Sequence, residues 1–269
     1  LEESEYIESN RRLWNEKTRI HVGSEFYGVE GFKRGKSSLH SIELEELGDV
    51  AGKSLLHLQC HFGLDTFSWA RLGARVTGVD FSDEAIAFAR TLSRKIGVAA
   101  EFVCSNIYDL PEMLNGEFEI VFTSYGVLCW LPDLWKWASV ISHFLKPGGT
   151  FYIVESHPFA NVFDDGDVRE LKIRYPYYGN EKPMHFPPGP TYADKTAKLR
   201  NPSYEWSHSL GEIVNSLLKS GLGIEFFHEF PFTCFQALPF LVQGEDGWWR
   251  LPDGHTDIPL LFSLMAKKG

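Results

Sequence analysis

The feature that most constrains this chain is the stretch Leu55-Leu56-His57-Leu58-Gln59-Cys60-His61-Phe62-Gly63, followed seventeen positions after Gly63 by Asp80 at the end of a second apolar run. Leu55 to Leu58 has the length and composition of a buried strand, Gln59 to Gly63 reads as a tight turn, and Asp65 to Leu72 as a helix that packs back on the sheet. Arg75 to Val79 is then a second parallel strand. In such a β-α-β unit the turn after the first strand holds the middle of a nucleoside cofactor, and an acid at the tip of the second strand accepts hydrogen bonds from ribose hydroxyls. Asp80 stands at that tip.

The turn chemistry decides which cofactor fits. A pyrophosphate needs close backbone approach, so dinucleotide turns carry glycine at three spaced positions. Here two of those places are Gln59 and His61, and Asp65 sets a carboxylate near the helix N-terminus, where a second anion is unwelcome. A nicotinamide-dependent oxidoreductase is therefore the disfavoured alternative. S-adenosylmethionine has no phosphate, and its amino-acid tail and sulfonium tolerate polar side chains at the turn.

HLQCHFG followed by VTGVDFS resembles the first two motifs of the class I S-adenosylmethionine-dependent methyltransferases, in a variant similar to a bacterial subgroup. The chain departs from the usual first motif: His57 replaces an acid, and Gln59 and His61 replace the first two glycines. Further landmarks follow in order. Cys104-Ser105-Asn106-Ile107 stands where the family places an adenine-binding acid or amide, Phe118 to Ser124 and then Tyr125 to Leu128 resemble the fourth strand and the loop beneath the methyl, and Leu145-Lys146-Pro147-Gly148-Gly149 resembles the turn before a fifth strand, Thr150 to Glu155. The resemblance spans roughly Lys53 to Glu155. It implies a three-layer α/β, Rossmann-like fold with a mostly parallel seven-stranded sheet. It also implies that Asp80 binds the ribose, Phe81 packs on the adenine, and Asn106 and Ile107 meet its edge. Gln59, Cys60, His61 and Gly63 face the methionine tail, with Ser82 and Ser124 also assigned to the cofactor. Ser82 equally suits the N-cap of a helix running to about Lys95.

Methyl transfer from a sulfonium is an in-line displacement, so alignment of the acceptor and exclusion of water are the main tasks. Where the acceptor is a hydroxyl, a base is needed. Tyr125 is the preferred substrate-side residue; His157, just past the fifth strand, and His208, just before the next helix, are candidate bases, though each also fits a packing or capping role. A module that binds S-adenosylmethionine without turnover remains an alternative, since fold alone does not establish activity.

Around this core the chain divides into an N-terminal helical cover over 1–50, a cofactor-binding core over 51–155, an inserted cap over 156–206 and the remainder of the core sheet over 207–269. The cover contains a helical pattern from Tyr6 to Lys17 and a second helix, Ser41 to Leu47; Trp14, Phe26 and Tyr27 are candidates for an inner face, because aromatic rings attract a sulfonium. Ser156 to Trp206 lacks periodicity yet is rich in Pro, Gly, Tyr, Phe and His, the composition of a lid rather than of disorder. Ser209 to Ser220 is an amphipathic helix, and Ile224 to Phe230 and Leu260 to Ala266 are two strands joined by a Trp-rich segment around Trp248 that is available to pack between subunits.

A net charge of −10, from 36 acidic and 26 basic residues, disfavours nucleic acid as the main partner and favours a small-molecule substrate. No apolar run is long enough to span a membrane, and the acidic opening Leu1 to Glu8 is unlike a signal peptide. The four cysteines, Cys60, Cys104, Cys129 and Cys234, show no paired spacing, so reduced thiols in a cytoplasmic setting are expected and no metal site is. Oligomeric state is left open.

Overall fold

The computed structural model describes residues 2–166 and 168–269; Leu1, at the head of the acidic opening, and Asp167 lie outside it. Seven strands form one sheet: β1 (Ser54–Leu58), β2 (Arg75–Asp80), β3 (Glu101–Cys104), β4 (Phe118–Ser124), β5 (Leu145–Ser156), β8 (Leu222–Phe230) and β12 (Leu261–Lys268). Their order is β3-β2-β1-β4-β5-β12-β8, with β1 to β5 parallel and β12 antiparallel to both neighbours. The strand order reverses between β1 and β4, and a sheet of this kind opens its crevice at the carboxyl ends of the strands there.

Central strands are covered on both faces, which explains why they read as apolar runs without alternation. Leu56, Leu58, Val121 and Ile153 pack against α7 (Leu134–Phe144) and α8 (Leu210–Lys219) on one face, together with Leu110 of the short α6 (Leu110–Met113). Leu55, Val76, Phe122 and Val154 pack on the other against α3 (Ser41–Leu47) and α4 (Leu64–Arg71). Beside that second layer, α2 (Val29–Lys33), α4 and α5 (Asp83–Ile96) enclose Phe62, Phe67 and Phe102. The result is the three-layer α/β arrangement expected from the sequence.

Helix ends follow their local chemistry. Ser82 caps α5 by accepting the Ala85 N–H at 3.1 Å, and Ser209 caps α8 by accepting from Glu212 at 3.2 Å. The helix read over Tyr6 to Lys17 is longer, α1 (Glu3–His21), because its inner face is largely polar and is held by tertiary partners instead of an apolar stripe. Asn10 exchanges two hydrogen bonds with the Tyr204 backbone, at 2.7 and 2.9 Å, while Arg11 and Asn15 both reach Asp83 at the start of α5. The Pro-Gly-Gly segment is not a turn ahead of a strand starting at Thr150. It bulges inside β5, whose Leu145 already pairs with Phe118 before Thr150 pairs with Ile120.

The segment 156–206 holds one small hairpin, β6 (Met184–Phe186) with β7 (Ser203–Glu205). The connection between β8 and β12 is more ordered than expected, with β9 (Phe232–Thr233), β10 (Val242–Gln243) and β11 (Trp249–Arg250) making a three-stranded antiparallel sheet. Trp248 packs within the chain, its ring centroid 4.7 Å from Phe232 and 5.1 Å from His40. No described helix is long and apolar enough to cross a membrane.

Candidate active site

At the carboxyl edge of β1, β2 and β4 lies a cavity of about 1320 Å³, bounded by the strand ends on one side and by α1, the 156–206 segment and residues 233–238 on the other. The turn after β1 supplies its floor. Gln59 and His61 adopt φ of 55° and 51°, the left-handed region that glycine enters without strain. The chain thus keeps the backbone shape of a glycine-rich turn with two side-chain-bearing residues, at a cost of about 1–3 kcal/mol each. Gln59 Nε2 donates to the Val127 carbonyl at 3.1 Å, and the His61 N–H donates to Asp80 Oδ2 at 2.8 Å. Gly63 also has positive φ, 82°, but it is glycine for packing as well: a Cβ there would lie 2.7 Å from the Phe102 ring.

Asp80 ends β2 with one oxygen on His61 and the other accepting the Ser82 N–H at 2.9 Å. Burial raises its pKa to about 6, against the opposing pull of those N–H donors. Each carboxylate oxygen retains a lone pair for a further donor. Phe81, Asn106 and Ile107 stand along the same wall, as do Cys60 and Gly63. Asn106 spends its side-chain oxygen on the Tyr108 N–H at 3.3 Å, leaving its amide nitrogen free to donate. Ser82 is fully buried, with its hydroxyl given to Asn15 Oδ1 at 2.7 Å, and it is not part of the cavity wall. Its place is the helix cap.

Behind the turn runs a buried polar chain. His57, standing where the family motif has an acid, has Nδ1 2.8 Å from Thr66 Oγ1 and Nε2 3.4 Å from Ser124 Oγ; burial lowers its pKa to about 3 and keeps it neutral. Ser124 donates to Asp65 Oδ2 at 3.0 Å, and Ser38 donates to Asp65 Oδ1 at 2.6 Å. Burial raises the Asp65 carboxyl's pKa. Ser124 lines the cavity, but its hydroxyl already has partners on both sides.

The loop after β4 is fixed by a residue that sequence reasoning passed over. Glu155, buried in β5, accepts the N–H groups of Gly126, Val127 and Leu128 at 2.5, 2.7 and 3.2 Å, and that of Ser156 at 2.6 Å. Desolvation pushes its pKa up while these donors hold it down. A buried acid at the carboxyl end of a central strand was the available signal. Tyr125 stands at the head of this loop with φ of 30° and donates its hydroxyl to Glu43 Oε2 at 2.9 Å. Glu43 is fully buried, and desolvation raises its pKa to about 8.

The two candidate histidine bases do not converge on the cavity as free groups. His157 lies outside its lining, with Nδ1 accepting the Phe159 N–H at 3.0 Å and Nε2 2.9 Å from Glu229. It closes the end of β5. His208 reaches the wall, but its Nε2 donates to the Leu131 carbonyl at 2.8 Å and its Nδ1 sits 3.3 Å from Glu212. That geometry is a brace between the β4 loop and α8.

The opposite side of the cavity is aromatic. Trp14 meets His61 and Trp130 edge-on at 5.1 and 5.3 Å, and Phe26 and Tyr27 approach Tyr192. Trp14, Phe26 and Tyr27 all line the cavity as expected for an inner face. His21, also missed, links Nδ1 to His61 Nε2 at 3.1 Å and Nε2 to Thr191 Oγ1 at 2.6 Å, and burial lowers its pKa to about 3. Among the described residues no cluster of His, Cys, Asp and Glu has the arrangement of a metal site.

A parallel sheet reversing at β1/β4, a left-handed turn after β1 and an acid ending β2 define a nucleoside-binding α/β protein. Residues 56–153 match the family model described as a methyltransferase domain. Over residues 56–153 the chain carries a methyltransferase domain similar to those of the class I S-adenosylmethionine-dependent enzymes, and its fold resembles theirs. It is 29% identical over 135 residues to a ubiquinone biosynthesis O-methyltransferase of Xanthomonas euvesicatoria pv. vesicatoria, covering 49% of this chain and 56% of that protein. A protein of the same name from Pseudomonas aeruginosa is 29% identical over 122 residues, covering 45% and 52%. The chain spans about half the length of the curated relatives it matches. Among solved structures, an S-adenosylmethionine-dependent methyltransferase from Mesorhizobium loti shares the fold at a TM-score of 0.57 and 21% identity, over 88% of this chain and all of that one. A glycopeptide N-methyltransferase complexed with sinefungin does so at 0.55 and 16%, over 87% and 88%.

The residues present fit that cofactor. Gln59 Oε1 and His61 Nδ1 are buried at the turn without a partner among the described residues, so the floor offers polar atoms to an amino-acid tail.

Proposed function

We propose that this chain transfers the methyl group of S-adenosylmethionine to a small acceptor enclosed between the strand ends and the aromatic side of the cavity. The observation that carries the reading is the cavity's size beside its turn. At about 1320 Å³ it exceeds the roughly 300–1000 Å³ of a pocket for one small ligand, which is room for a donor and an acceptor together. Asp80 holds the ribose, Asn106 and Ile107 the adenine edge, and Gln59 and His61 the methionine tail. The cofactor supplies an electrophilic methyl on a sulfonium.

The chain's own residues align and enclose. Glu155 fixes the 126–128 backbone, Tyr125 is held at the head of that loop by Glu43, and α1 with the 156–206 segment shuts out water. In this reading 1–50 acts as a cover, 51–155 as the cofactor core, 156–206 as the cap and 207–269 as the completing part of the sheet. The name of the curated relatives supports a hydroxyl oxygen as acceptor, and the acidic net charge supports a small molecule over nucleic acid. A cytoplasmic setting accords with four free cysteines.

Calorimetry with S-adenosylhomocysteine and with NADH tests the cofactor, and formation of S-adenosylhomocysteine with a panel of phenols, enols and amines tests turnover. Binding of the first ligand alone, with product formed on at least one acceptor, is expected. Preferential NADH binding overturns the cofactor assignment, and tight binding without any product leaves a non-catalytic module as the better description.

A further inference from the structure

Lys17 is the buried cation that nothing above uses. It lies on the inner face of α1 at 9% exposure and lines the cavity. Its Nζ is 4.6 Å from the Trp14 ring centroid, 4.9 Å from Trp130 and 5.8 Å from Tyr192. Among the described residues, no carboxylate lies within ion-pair distance of this ammonium and no acceptor hydrogen-bonds it. Glu205 of β7 faces the same space from beyond that distance, with Ser203 donating to its Oε1 at 2.9 Å. Burial lowers the Lys17 pKa, opposed by Glu205 and Cys129.

Three ammonium donors turned into a cavity without an acceptor are a deficit. Aromatic faces return only a fraction of what desolvating an ammonium costs, even after relaxation. The aromatic collar therefore offsets only part of the cost, and an oxyanion entering the cavity supplies both the countercharge and the missing acceptors. The position of the collar indicates which molecule brings it. Trp130 belongs to the segment after β4, Tyr192 to the 156–206 segment, and Glu205 stands behind; the adenine and ribose wall, Asp80 to Asn106, is formed by other elements, while Trp14 also meets His61 of the turn at 5.1 Å. The aromatic surroundings of the ammonium favour an acceptor whose oxyanion is borne on an aromatic or conjugated body.

We propose that Lys17, within the ring of Trp14, Trp130 and Tyr192, is the recognition point for an oxyanion on the acceptor, which is accordingly a small planar acid such as an aromatic or conjugated carboxylate. This inference rests on the methyl-transfer reading. The methionine carboxylate of the cofactor has the same chemistry, so the test separates the two sources.

The full chain and its K17M and K17R variants are titrated with S-adenosylhomocysteine, and separately with a set of aromatic and conjugated monocarboxylates, each paired with its primary amide; circular dichroism and melting establish that the variants fold. In the parent protein the acids as a class are expected to bind at least about tenfold tighter than their amides, as one charge-assisted hydrogen bond implies. K17M should remove that preference, K17R should retain it, and the affinity for S-adenosylhomocysteine should change by less than about twofold in both. Absence of an acid preference in the parent, or its survival in K17M, overturns the proposal. A large loss of S-adenosylhomocysteine affinity in K17M moves the oxyanion to the cofactor and also overturns the acceptor assignment. Should S-adenosylhomocysteine fail to bind the parent protein, the methyl-transfer reading falls, while the acid-against-amide comparison still reports on Lys17.

Discussion

The two sides of the cavity are built on opposite plans. On the sheet side, Asp80, Glu155 and Asp65 each have both oxygens engaged by backbone or hydroxyl donors, and the turn between them is held in a conformation its own residues resist. On the helix side, Trp14, Lys17, Tyr27 and Tyr192 meet mainly through rings and an ammonium, with a hydroxyl bond between Tyr27 and Tyr192 and the His21 bonds beside them, and Tyr192 comes from a segment more than a hundred residues from the others. Directed hydrogen bonds give the first side one geometry. Ring contacts, being broad in angle and distance, leave the second less sharply defined. Under the proposed reaction, the directed side is the one that aims the donor and the broader side the one that receives the acceptor.

The largest effect that would sharpen the contrast is expected from Asp80→Ala. Calorimetry should show a loss of about 1–3 kcal/mol in S-adenosylmethionine affinity, because ribose hydroxyls lose their acceptor and the His61 and Ser82 N–H groups lose theirs. Unchanged affinity would remove Asp80 from the site. Next comes Glu155→Gln, which exchanges charge-assisted bonds to the 126–128 backbone for neutral ones; chemical denaturation should report about 2 kcal/mol lower stability, and turnover should fall more than cofactor affinity. If turnover and stability were both untouched, the loop would not depend on this anchor.

Acidity separates the sides in a third way. The Asp80 pKa of about 6 lies above the ordinary carboxylate range, and ribose hydroxyls favour the ionised form. Cofactor affinity should therefore be level above about pH 6 and decline by up to about tenfold for each pH unit below it. A profile flat from pH 7 to 5 would count against the assignment, and Asp80→Asn should abolish the slope. A smaller change is expected from Tyr125→Phe, which removes one hydrogen bond from Glu43 and should cost about 1 kcal/mol in unfolding free energy.

The smallest effect concerns the strained turn. Gln59→Gly relieves a left-handed side-chain-bearing residue while deleting the bond to Val127, so the unfolding free energy should move by less than about 1 kcal/mol. A destabilisation much larger than that would show the Gln59 side chain to be a principal brace of the sheet side.

Local patterns in the chain accounted for the strands of the central sheet, the turn after β1, Asp80 at the tip of β2, the cap at Ser82 and the final antiparallel pair, because each depends on residues within a few positions of one another. They did not determine the length of α1, whose polar inner face is stabilised by partners such as Tyr204 and Asp83, or the internal bulge of β5. Nor did they show what the nitrogens of His157 and His208 meet: the Glu229 carboxylate in one case, the Leu131 carbonyl in the other. Glu43, His21 and Lys17 were invisible for the same reason, and Glu155 showed only as an acid ending a strand. Which charges lie buried and which of them lack a partner followed from the tertiary structure alone, because burial and pairing arise from segments distant in the chain, such as α1 and the 156–206 segment, that pack together at the carboxyl edge of the sheet.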